Sequence, residues 1–331
     1  MGPSWTVKLL YLCANPLIEM LDGPETLGVE KIEPRPVINE ISVVIPTLGR
    51  TILKKSLYYI ATGSAWPANL IVVDQGSEPQ VAARIEVLNS IGIAAEYVSS
   101  AQRGRAAGIN RGLERVQTRF VAITDDDCFV DTDWLKRMAA CLNDDPEAIV
   151  TGQVEPAGEG VIMAVTSRTP AIYRRPRLTF DSLSGGNMGT SISVINRVGR
   201  FDEDARLRTA EDGEWAYRAL RSGVPIIYAP QVIVRHFGWR DGQNRANQYR
   251  KYARSHGGFY GKYLRKGDWF IGLRTLIHHL RALKRWLRGV VTRDPELALN
   301  GWCYLTGLLP GVISGMRRNR TARPRACEFL E

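Results

Sequence analysis

The sequence predicts an α/β protein with a mostly parallel central sheet flanked by helices, followed by a helical, basic, amphipathic C-terminal extension. Three observations lead to this fold class. Short β-branched apolar runs alternate with helical segments of about 10 to 15 residues, which is typical of βαβ units. Polar clusters follow several of these runs. The last third differs in kind, with basic residues set among long apolar stretches.

The composition is that of a folded protein, and its charge is unevenly distributed. The 331 residues are 44% hydrophobic and 24% charged, which excludes a disordered, collagen-like or multi-span membrane protein. Residues 1–234 hold 24 basic and 28 acidic side chains, net −4, whereas residues 235–331 hold 20 and 6, net +14. We therefore expect the C-terminal region to meet an anionic membrane surface or a polyanion.

The cysteines and the first residues bear on the compartment. Five cysteines, an odd number without a CxxC pair, argue against a disulfide framework or a zinc knuckle and fit a reducing cytosol. The N-terminus lacks a basic stretch followed by an apolar run and a cleavage site. We expect a cytoplasmic protein, peripheral at the inner face of the cell membrane, with residues 1–38 as an N-terminal extension of unassigned role.

The first half of the chain reads as alternating strands and helices. ISVVIP from Ile41 is a buried strand that Pro46 stops, and LKKSLYYIAT after it is a helix. NLIVVD, VAARIEVLNSIG and AAEYVS follow as strand, helix and strand. RGRAAGINRGLERVQ is a helix with small residues on one face, and FVAIT is a strand ended by three aspartates.

Polar clusters follow three of these strands, at 46–50, 74–77 and 125–127. Because the carboxyl ends of parallel strands meet at one edge of a sheet, the sequence predicts a site there. Further along, AIVTGQVEP is a strand, SGGNMGTSISVI a loop and strand, EDGEWAYRALRSG a helix, and PIIYAPQVIVRHFGW a strand.

Two C-terminal segments are apolar. Six apolar residues between Leu273 and Val290 are spaced 3,4,3,4,3 with basic residues in the gaps, which predicts a basic amphipathic helix. Such a helix either lies on an anionic membrane or packs against the rest of the protein. Residues 297–316 carry no charge, but Asn300, Pro310 and four glycines disfavour a spanning helix and favour a re-entrant or surface-lying hairpin.

Two acidic motifs each have a chemical and a structural interpretation. Asp125 and Asp127 form a DxD pair at a strand end, where alternation directs them to one side and they can hold Mg²⁺ or Mn²⁺. The alternative is a solvated acidic turn. Glu211-Asp212 opens a helix, so these carboxylates either complement the helix dipole or include a general base.

Three other groups are equally two-sided. Gly185-Gly186-Asn187 is either a tight turn or a place where substrate approaches the backbone. His236 after a strand is either a hydrogen-bonded structural histidine or a metal ligand. Arg103 and Arg105 are either surface charges or partners of a phosphate or a base edge.

Seven of these segments together resemble family 2 glycosyltransferases, which have the GT-A fold. The resemblance covers about residues 41–240 and rests on the order and approximate spacing of ISVVIPTLGR, VVDQGS, RGRAAGINRG, TDDD, SGGN, AEDGEWAYR and VRH. It implies a catalytic domain over residues 39–240 and a C-terminal helical region over 241–331. The implied function is inverting transfer of a sugar from a nucleotide-diphosphate donor to a hydroxyl of a glycan or lipid-linked acceptor, in polysaccharide or cell-envelope biosynthesis.

The resemblance also implies residue roles. Asp125, Asp127 and His236 would bind the divalent metal, Mn²⁺ or Mg²⁺, and Asp212 would be the catalytic base. The implied acceptor-binding residues are Gly186, Asn187 and Glu211. The implied donor-binding residues are Pro46, Thr47, Arg50, Asp74, Gly76, Arg103, Arg105, Asn110 and Asp126.

Two departures and several alternatives accompany this reading. Gln75 replaces a carboxylate that the family commonly has, which affects base or sugar preference, and residues 155–184 match no family pattern.

A sugar nucleotidyltransferase should have a glycine-rich phosphate loop with a lysine, which PTLGR is not. A non-catalytic nucleotide-sugar-binding relative and a basic nucleic-acid- or membrane-binding protein stay open. No nucleic-acid partner is expected, because no recognition module is present. An anionic membrane partner is expected through residues 270–320.

Overall fold

The computed structural model describes residues 32–157, 165–179, 182–237 and 245–317, so most of the N-terminal extension and the basic end beyond Arg317 lie outside the described residues. The chain forms two compact units. The first comprises Met1–Arg175, Ser182–Phe201 and Arg218–Asp241. The second comprises Pro176–Asp181, Asp202–Tyr217 and Gly242–Glu331. The predicted domain bounds stay a prediction; the units cross them, since residues 202–217 group with the C-terminal helices.

The first unit is built on one mixed sheet. In space its strands follow the order β3-β2-β1-β4-β8-β6-β9-β5, with β7 paired to β9. The strands are β1 Val37–Thr47, β2 Trp66–Asp74, β3 Ala95–Ser99, β4 Phe120–Thr124, β5 Cys128–Val130, β6 Ile149–Ala157, β7 Ala171–Tyr173, β8 Asn187–Ser191 and β9 Ile226–Phe237.

The sheet is parallel in its first half only. Strand β1 pairs in parallel with β2 and β4, and β2 with β3, as the alternation of strands and helices predicts. Beyond β4 the sheet is mixed: β8 runs antiparallel to β4 and β6, β6 runs parallel to β9, and β5 and β7 run antiparallel to β9. The α/β class with a flanked central sheet is confirmed, and strand direction changes in the less regular second half of the sequence.

Helices cover the sheet and bury its apolar runs. They are α1 Leu53–Ala61, α2 Pro79–Ser90, α3 Arg105–Leu113, α4 Trp134–Asp144 and α5 Ile192–Val198. Val43, Val44 and Ile45 are consecutive in β1 and all fully buried, so both faces of this strand are covered. Each such side chain contributes about 1.5–3 kcal/mol by burial.

Helix α3 lies unusually close to β1 through its glycines. A Cβ on Gly112 would come within 2.4 Å of Val44 Cγ1, and one on Gly108 within 2.7 Å of Pro46 Cβ. The predicted small-residue face is therefore the packing face, and it sets α3 tightly against the strand that leads to the 46–50 cluster.

The second unit is helical. Its elements are a 3₁₀ helix Ala205–Leu207, the start of α6 Glu211–Arg221, then α7 Arg245–Leu264, α8 Trp269–Val291 and α9 Pro295–Met316. Phe259, Tyr260, Ile271 and Leu308 lie in its apolar core.

Helix α9 corrects a prediction. The hairpin expected over residues 297–316 was wrong: one continuous helix includes Pro310. Three of its glycines, including Gly311 and Gly315, line the side that packs on α7: a Cβ on Gly311 would lie 2.3 Å from the Arg254 carbonyl oxygen and one on Gly315 2.2 Å from that of Gly258. The glycines thus serve close helix packing, not a chain reversal. By length and composition alone, α9 is the one helix in the described part of the chain that could cross a membrane.

Candidate functional site

The carboxyl ends of β1 and β4 join through Asp126. The Thr47 hydroxyl donates to Asp126 Oδ2 at 2.6 Å, and Arg50 Nε donates to the same oxygen at 3.1 Å. Arg50 Nη2 also bonds Asp126 Oδ1, and the Ser56 hydroxyl donates to the Asp126 carbonyl at 2.8 Å. The structure therefore brings two of the three predicted polar clusters together around one buried carboxylate.

Charge and burial compete at this cluster. Burial raises the pKa of Asp126, and Asp127 adds to this, against the opposing effect of the Arg50 guanidinium and the Thr47 hydroxyl. For Arg50, burial acts to lower the pKa, but the bonds and charges of Asp126 and Asp127 outweigh it, so its pKa is raised. Arg50 thus stays a fixed cation among the carboxylates.

The aspartate triplet forms a turn. Strand β4 ends at Thr124, and the Cys128 amide donates to the Asp125 carbonyl at 3.1 Å. The strand alternation expected for Asp125 and Asp127 therefore does not apply. Asp125 accepts from Arg105 Nε at 2.6 Å, whereas Asp127 accepts from Arg50 Nη2 at 3.0 Å.

A second strand builds a candidate metal group beside Asp127. Short strand β5 pairs Cys128 with His236 of β9, and His236 Nε2 lies 3.3 Å from Asp127 Oδ1. The ligand atoms of Asp127, Cys128 and His236 all lie within 4.8 Å of one another. The predicted ligands Asp127 and His236 thus meet, whereas Asp125 is outside this group.

Cys128 is the group member that sequence reasoning missed. The cysteines form no CxxC pair and strand β5 was not predicted; the available signal was a cysteine directly after the acidic triplet. Burial raises its thiol pKa well above the usual range, with Asp125 and Asp127 adding to the effect. Carboxylate and imidazole donors fit Mn²⁺ and related divalent ions, and a thiol adds affinity for softer metals.

The cluster after β2 is held by Asp74 and Gln75. Asp74 accepts the backbone amides of Gly76 at 2.8 Å and Glu78 at 2.9 Å, and the Tyr97 hydroxyl at 3.2 Å. Gln75 Nε2 donates to the carbonyls of Gln102 at 2.5 Å and Gly104 at 2.9 Å. An amide can make these two donations and a carboxylate cannot, which explains physically the departure at Gln75.

Small residues let the loops approach. A Cβ on Gly76 would lie 2.2 Å from the Leu48 carbonyl, so the loops after β1 and β2 touch there. A Cβ on Gly186 would lie 2.7 Å from Cys128 Sγ and 3.0 Å from Asp125 Oδ2. Gly186 therefore lies in close contact with both Asp125 and Cys128.

Two predicted binding residues are occupied by structural bonds. Asn187 is fully buried, accepts from Trp134 Nε1 at 2.9 Å and donates to the carbonyls of Gln153 and Val232. Its acceptor role stays a prediction, and its side chain is a packing group here. The buried Asn110 amide exchanges two hydrogen bonds with the Phe201 backbone, at 2.8 and 3.0 Å. The side chain of Arg103 is exposed, and Pro46 is buried at the end of β1.

The predicted base belongs to the second unit. Glu211 and Asp212 open α6, with Asp212 Oδ1 accepting the Gly213 amide at 2.7 Å, as suits a carboxylate in a first helical turn. Sequence reasoning missed Glu214, which is fully buried and accepts from Lys262 Nζ at 2.5 Å and the Tyr263 hydroxyl at 2.7 Å. The role of Asp212 as base stays a prediction.

The chain is similar in sequence to known glycosyltransferases. Residues 42–200 match the model of glycosyl transferase family 2. Glycosyltransferase AglE of Haloferax volcanii is 24% identical over 226 residues, which cover 63% of this chain and 71% of that protein.

Solved structures share the fold. Mannosyltransferase PcManGT from Pyrobaculum calidifontis, in complex with GDP-Man and Mn²⁺, superposes with a TM-score of 0.57 at 15% identity, covering 94% of this chain and 95% of its own. Residues 1–349 of S. aureus TarS give a TM-score of 0.52 at 13% identity, covering 81% and 90%. The family match over residues 42–200, the similar relative and the shared fold together support a family 2 glycosyltransferase with the GT-A fold.

Proposed function

We propose that the chain is an inverting, metal-dependent glycosyltransferase that moves a sugar from a nucleotide-diphosphate donor to a hydroxyl of a glycan or lipid-linked acceptor. The biological setting we propose is polysaccharide or cell-envelope biosynthesis, at the cytoplasmic face of the cell membrane. The observation that carries the proposal is the joined cluster of Thr47, Arg50 and Asp126, beside a metal-compatible group, at the carboxyl edge of a family 2 sheet.

The first unit supplies the proposed donor site. Asp127 and His236 would hold Mn²⁺ or Mg²⁺, and Cys128 lies beside them. Asp125, in the same turn as Asp127, is proposed as a further ligand. When bound, the ion neutralises charge on the diphosphate leaving group. The structurally similar mannosyltransferase contains GDP-Man and Mn²⁺, which supports this assignment.

The chain's own cations assist the same leaving group. Arg105 Nε and Arg50 Nη2 already bind carboxylates of the aspartate turn, and guanidinium groups also bind phosphate in a bidentate manner. We propose that the remaining donor contacts come from the residues implied by the family resemblance, namely Pro46, Thr47, Asp74, Gly76, Arg103, Asn110 and Asp126.

The proposed reaction is a single displacement. An acceptor hydroxyl oxygen attacks the anomeric carbon, the bond from that carbon to the diphosphate oxygen breaks, and Asp212 takes the hydroxyl proton. Attack opposite the leaving group inverts the anomeric centre. We propose Gly186, Asn187 and Glu211 as acceptor-side residues, with Asn187 acting through the packing of its loop.

A donor screen tests the proposal. Purified protein with Mn²⁺ or Mg²⁺ is offered UDP-, GDP- and dTDP-sugars, and nucleoside diphosphate release is followed beside an Asp127→Asn protein. We expect release from one donor that depends on both metal and Asp127. If the protein binds one nucleotide tightly but releases no nucleoside diphosphate with any of the acceptor glycans tested, it is instead a non-catalytic relative.

A further inference from the structure

Helix α8 has its amphipathic pattern turned outward. Its six stripe residues are between 38% and 56% exposed: Leu273, Leu276, Leu280, Leu283, Leu287 and Val290. The side that packs inside the second unit carries Ile271 but otherwise small or polar residues, including Thr275, Ala282 and Gly289, together with buried Arg274. A helix in a water-soluble protein normally buries its apolar stripe, so this stripe needs a partner other than water.

Helix α9 adds a second exposed apolar row. Trp302, Leu309, Ile313 and Met316 are 47–56% exposed, on the side away from the glycines that pack on α7. The rings of Trp286 in α8 and Trp302 in α9 have centroids 5.8 Å apart, so the two rows adjoin there. We call these two rows the outer apolar face.

The charge beside this face identifies its occupant. The exposed side chains of Arg281, Lys284 and Arg288 lie on α8 next to the stripe, and no acidic residue occurs in Trp269–Val291. Leucines whose own helix carries cations and no acidic residue fit anionic lipids, each basic residue adding about 1 kcal/mol near such a surface. A second copy fits worse, because a two-fold contact would bring like charges together.

We propose that the outer apolar face docks on an anionic lipid bilayer and lies in its interfacial plane. Lying suits the structure better than crossing. Helix α9 packs against the α7 backbone at Arg250 and Arg254, whose side chains are exposed. A spanning α9 would carry those two charges into hydrocarbon, which is costly. The proposal goes beyond the glycosyltransferase assignment and does not depend on it.

Vesicle flotation of the full chain tests the proposal. The probes are phosphatidylglycerol/phosphatidylcholine vesicles and pure phosphatidylcholine vesicles, at low and high salt. We expect binding to the anionic vesicles that salt weakens. The triple substitution Leu276→Ser/Leu280→Ser/Leu283→Ser should reduce binding about a hundredfold, because it removes three inserted side chains. Arg281→Gln/Lys284→Gln/Arg288→Gln should weaken anionic-vesicle binding to a similar degree at low salt.

Matched controls keep the test specific. Ile172→Ser removes an equally exposed apolar side chain of β7, and Arg111→Gln/Lys136→Gln/Arg221→Gln removes three exposed charges of the first unit. Both should bind vesicles as the unmodified chain does. Circular dichroism is used to check that each variant is folded. An Asp127→Asn protein should still float with the vesicles, which would show that membrane docking does not depend on the catalytic site.

Three results would overturn the proposal. One is absence of anionic-vesicle binding by the full chain; another is unchanged binding by the folded leucine variant. The third is a dimer in light scattering that the leucine variant converts to monomer without any vesicle binding, because a second copy would then occupy the face.

Discussion

Gly186 shows how a single residue couples the acidic turn to its surroundings. With no side chain it lies against Cys128 Sγ and Asp125 Oδ2, and Thr124 Oγ1 donates to its carbonyl at 2.9 Å. We expect Gly186→Ala to destabilise the fold by about 1–3 kcal/mol, because the added methyl overlaps the thiol. Urea unfolding measures the loss. The same change in a Cys128→Ala background should cost less, and equal costs in both backgrounds would contradict the packing argument.

Asp127 and Asp125 differ in their partners, so their substitution should differ in effect. Asp127 lies 3.3 Å from His236, whereas Asp125 binds Arg105. We expect Asp127→Asn to weaken Mn²⁺ binding at least about tenfold, and Asp125→Asn to weaken it less. Titration calorimetry with Mn²⁺ and nucleoside diphosphate measures both.

Cys128 provides an independent check on the same group. Because thiols favour soft metals, Cys128→Ser should lower Cd²⁺ affinity more than Mn²⁺ affinity. Loss of the Cd²⁺–thiolate absorbance in this variant would accompany the change. Equal effects on both metals would remove Cys128 from the group.

At the scale of elements, the sequence predicted the regular strands and helices better than their contacts. Strands β1 and β2 were predicted from their long apolar runs, which occur because both faces of a central parallel strand are buried. The three-residue strand β5 could not be predicted, since its ladder is made with β9, which is distant in sequence. Nor does any local sequence pattern show that the side-chain amide of Asn187 forms hydrogen bonds with Gln153, Val232 and Trp134. Such roles are fixed by tertiary packing.

The contact between α7 and α9 depends on glycine. A Cβ on Gly257 would lie 2.2 Å from the Leu308 carbonyl oxygen, whereas one on Gly272 in α8 would meet only Leu264 Cδ2, at 3.5 Å. We expect Gly257→Ala to destabilise by at least about 1–3 kcal/mol, despite alanine's better helix propensity. The control Gly272→Ala should stabilise by up to about 1 kcal/mol. Thermal unfolding of both decides; a stabilised Gly257→Ala protein would refute the close packing.

Asp204 ties the 3₁₀ helix to the end of α9. It binds Arg206, which in turn donates to the Ser314 carbonyl at 2.9 Å. Burial acts to raise the pKa of Asp204, but the Arg206 bonds outweigh it, so its pKa is lowered from 3.8. The stabilisation is therefore complete above the unfolded-state pKa and is lost as pH falls through the lower folded-state value.

The pH dependence follows from that sign. Asp204→Asn should cost about 1–3 kcal/mol at pH 7, and the deficit should shrink as the pH falls below about 4. Urea unfolding at pH 7 and pH 3 measures it. Asp144→Asn, at an exposed carboxylate of α4, is the matched control and should change little. A deficit that persists undiminished at pH 3 would mean that the carboxylate charge is not its source.

On the scale of the whole molecule, charge and apolar exposure are segregated along the chain. Residues 1–234, which include most of the sheet and its aspartate turn, carry a net charge of −4, and residues 235–331, which include the two helices of the outer apolar face, carry +14. An enzyme and a lipid-linked acceptor that share one surface meet at raised effective concentration. The two proposals together therefore predict that the physical form of the acceptor controls the rate.

We expect nucleoside diphosphate release to be at least about tenfold faster with a lipid-linked acceptor in anionic vesicles than with the same glycan in solution. Leu276→Ser/Leu280→Ser/Leu283→Ser should lose that advantage and keep the rate on the soluble glycan, because the substitutions lie outside the proposed catalytic groups. A variant slowed equally on both acceptors would show that α8 acts through the fold of the protein. A variant unchanged on both would show that membrane docking, even where flotation detects it, does not deliver the acceptor.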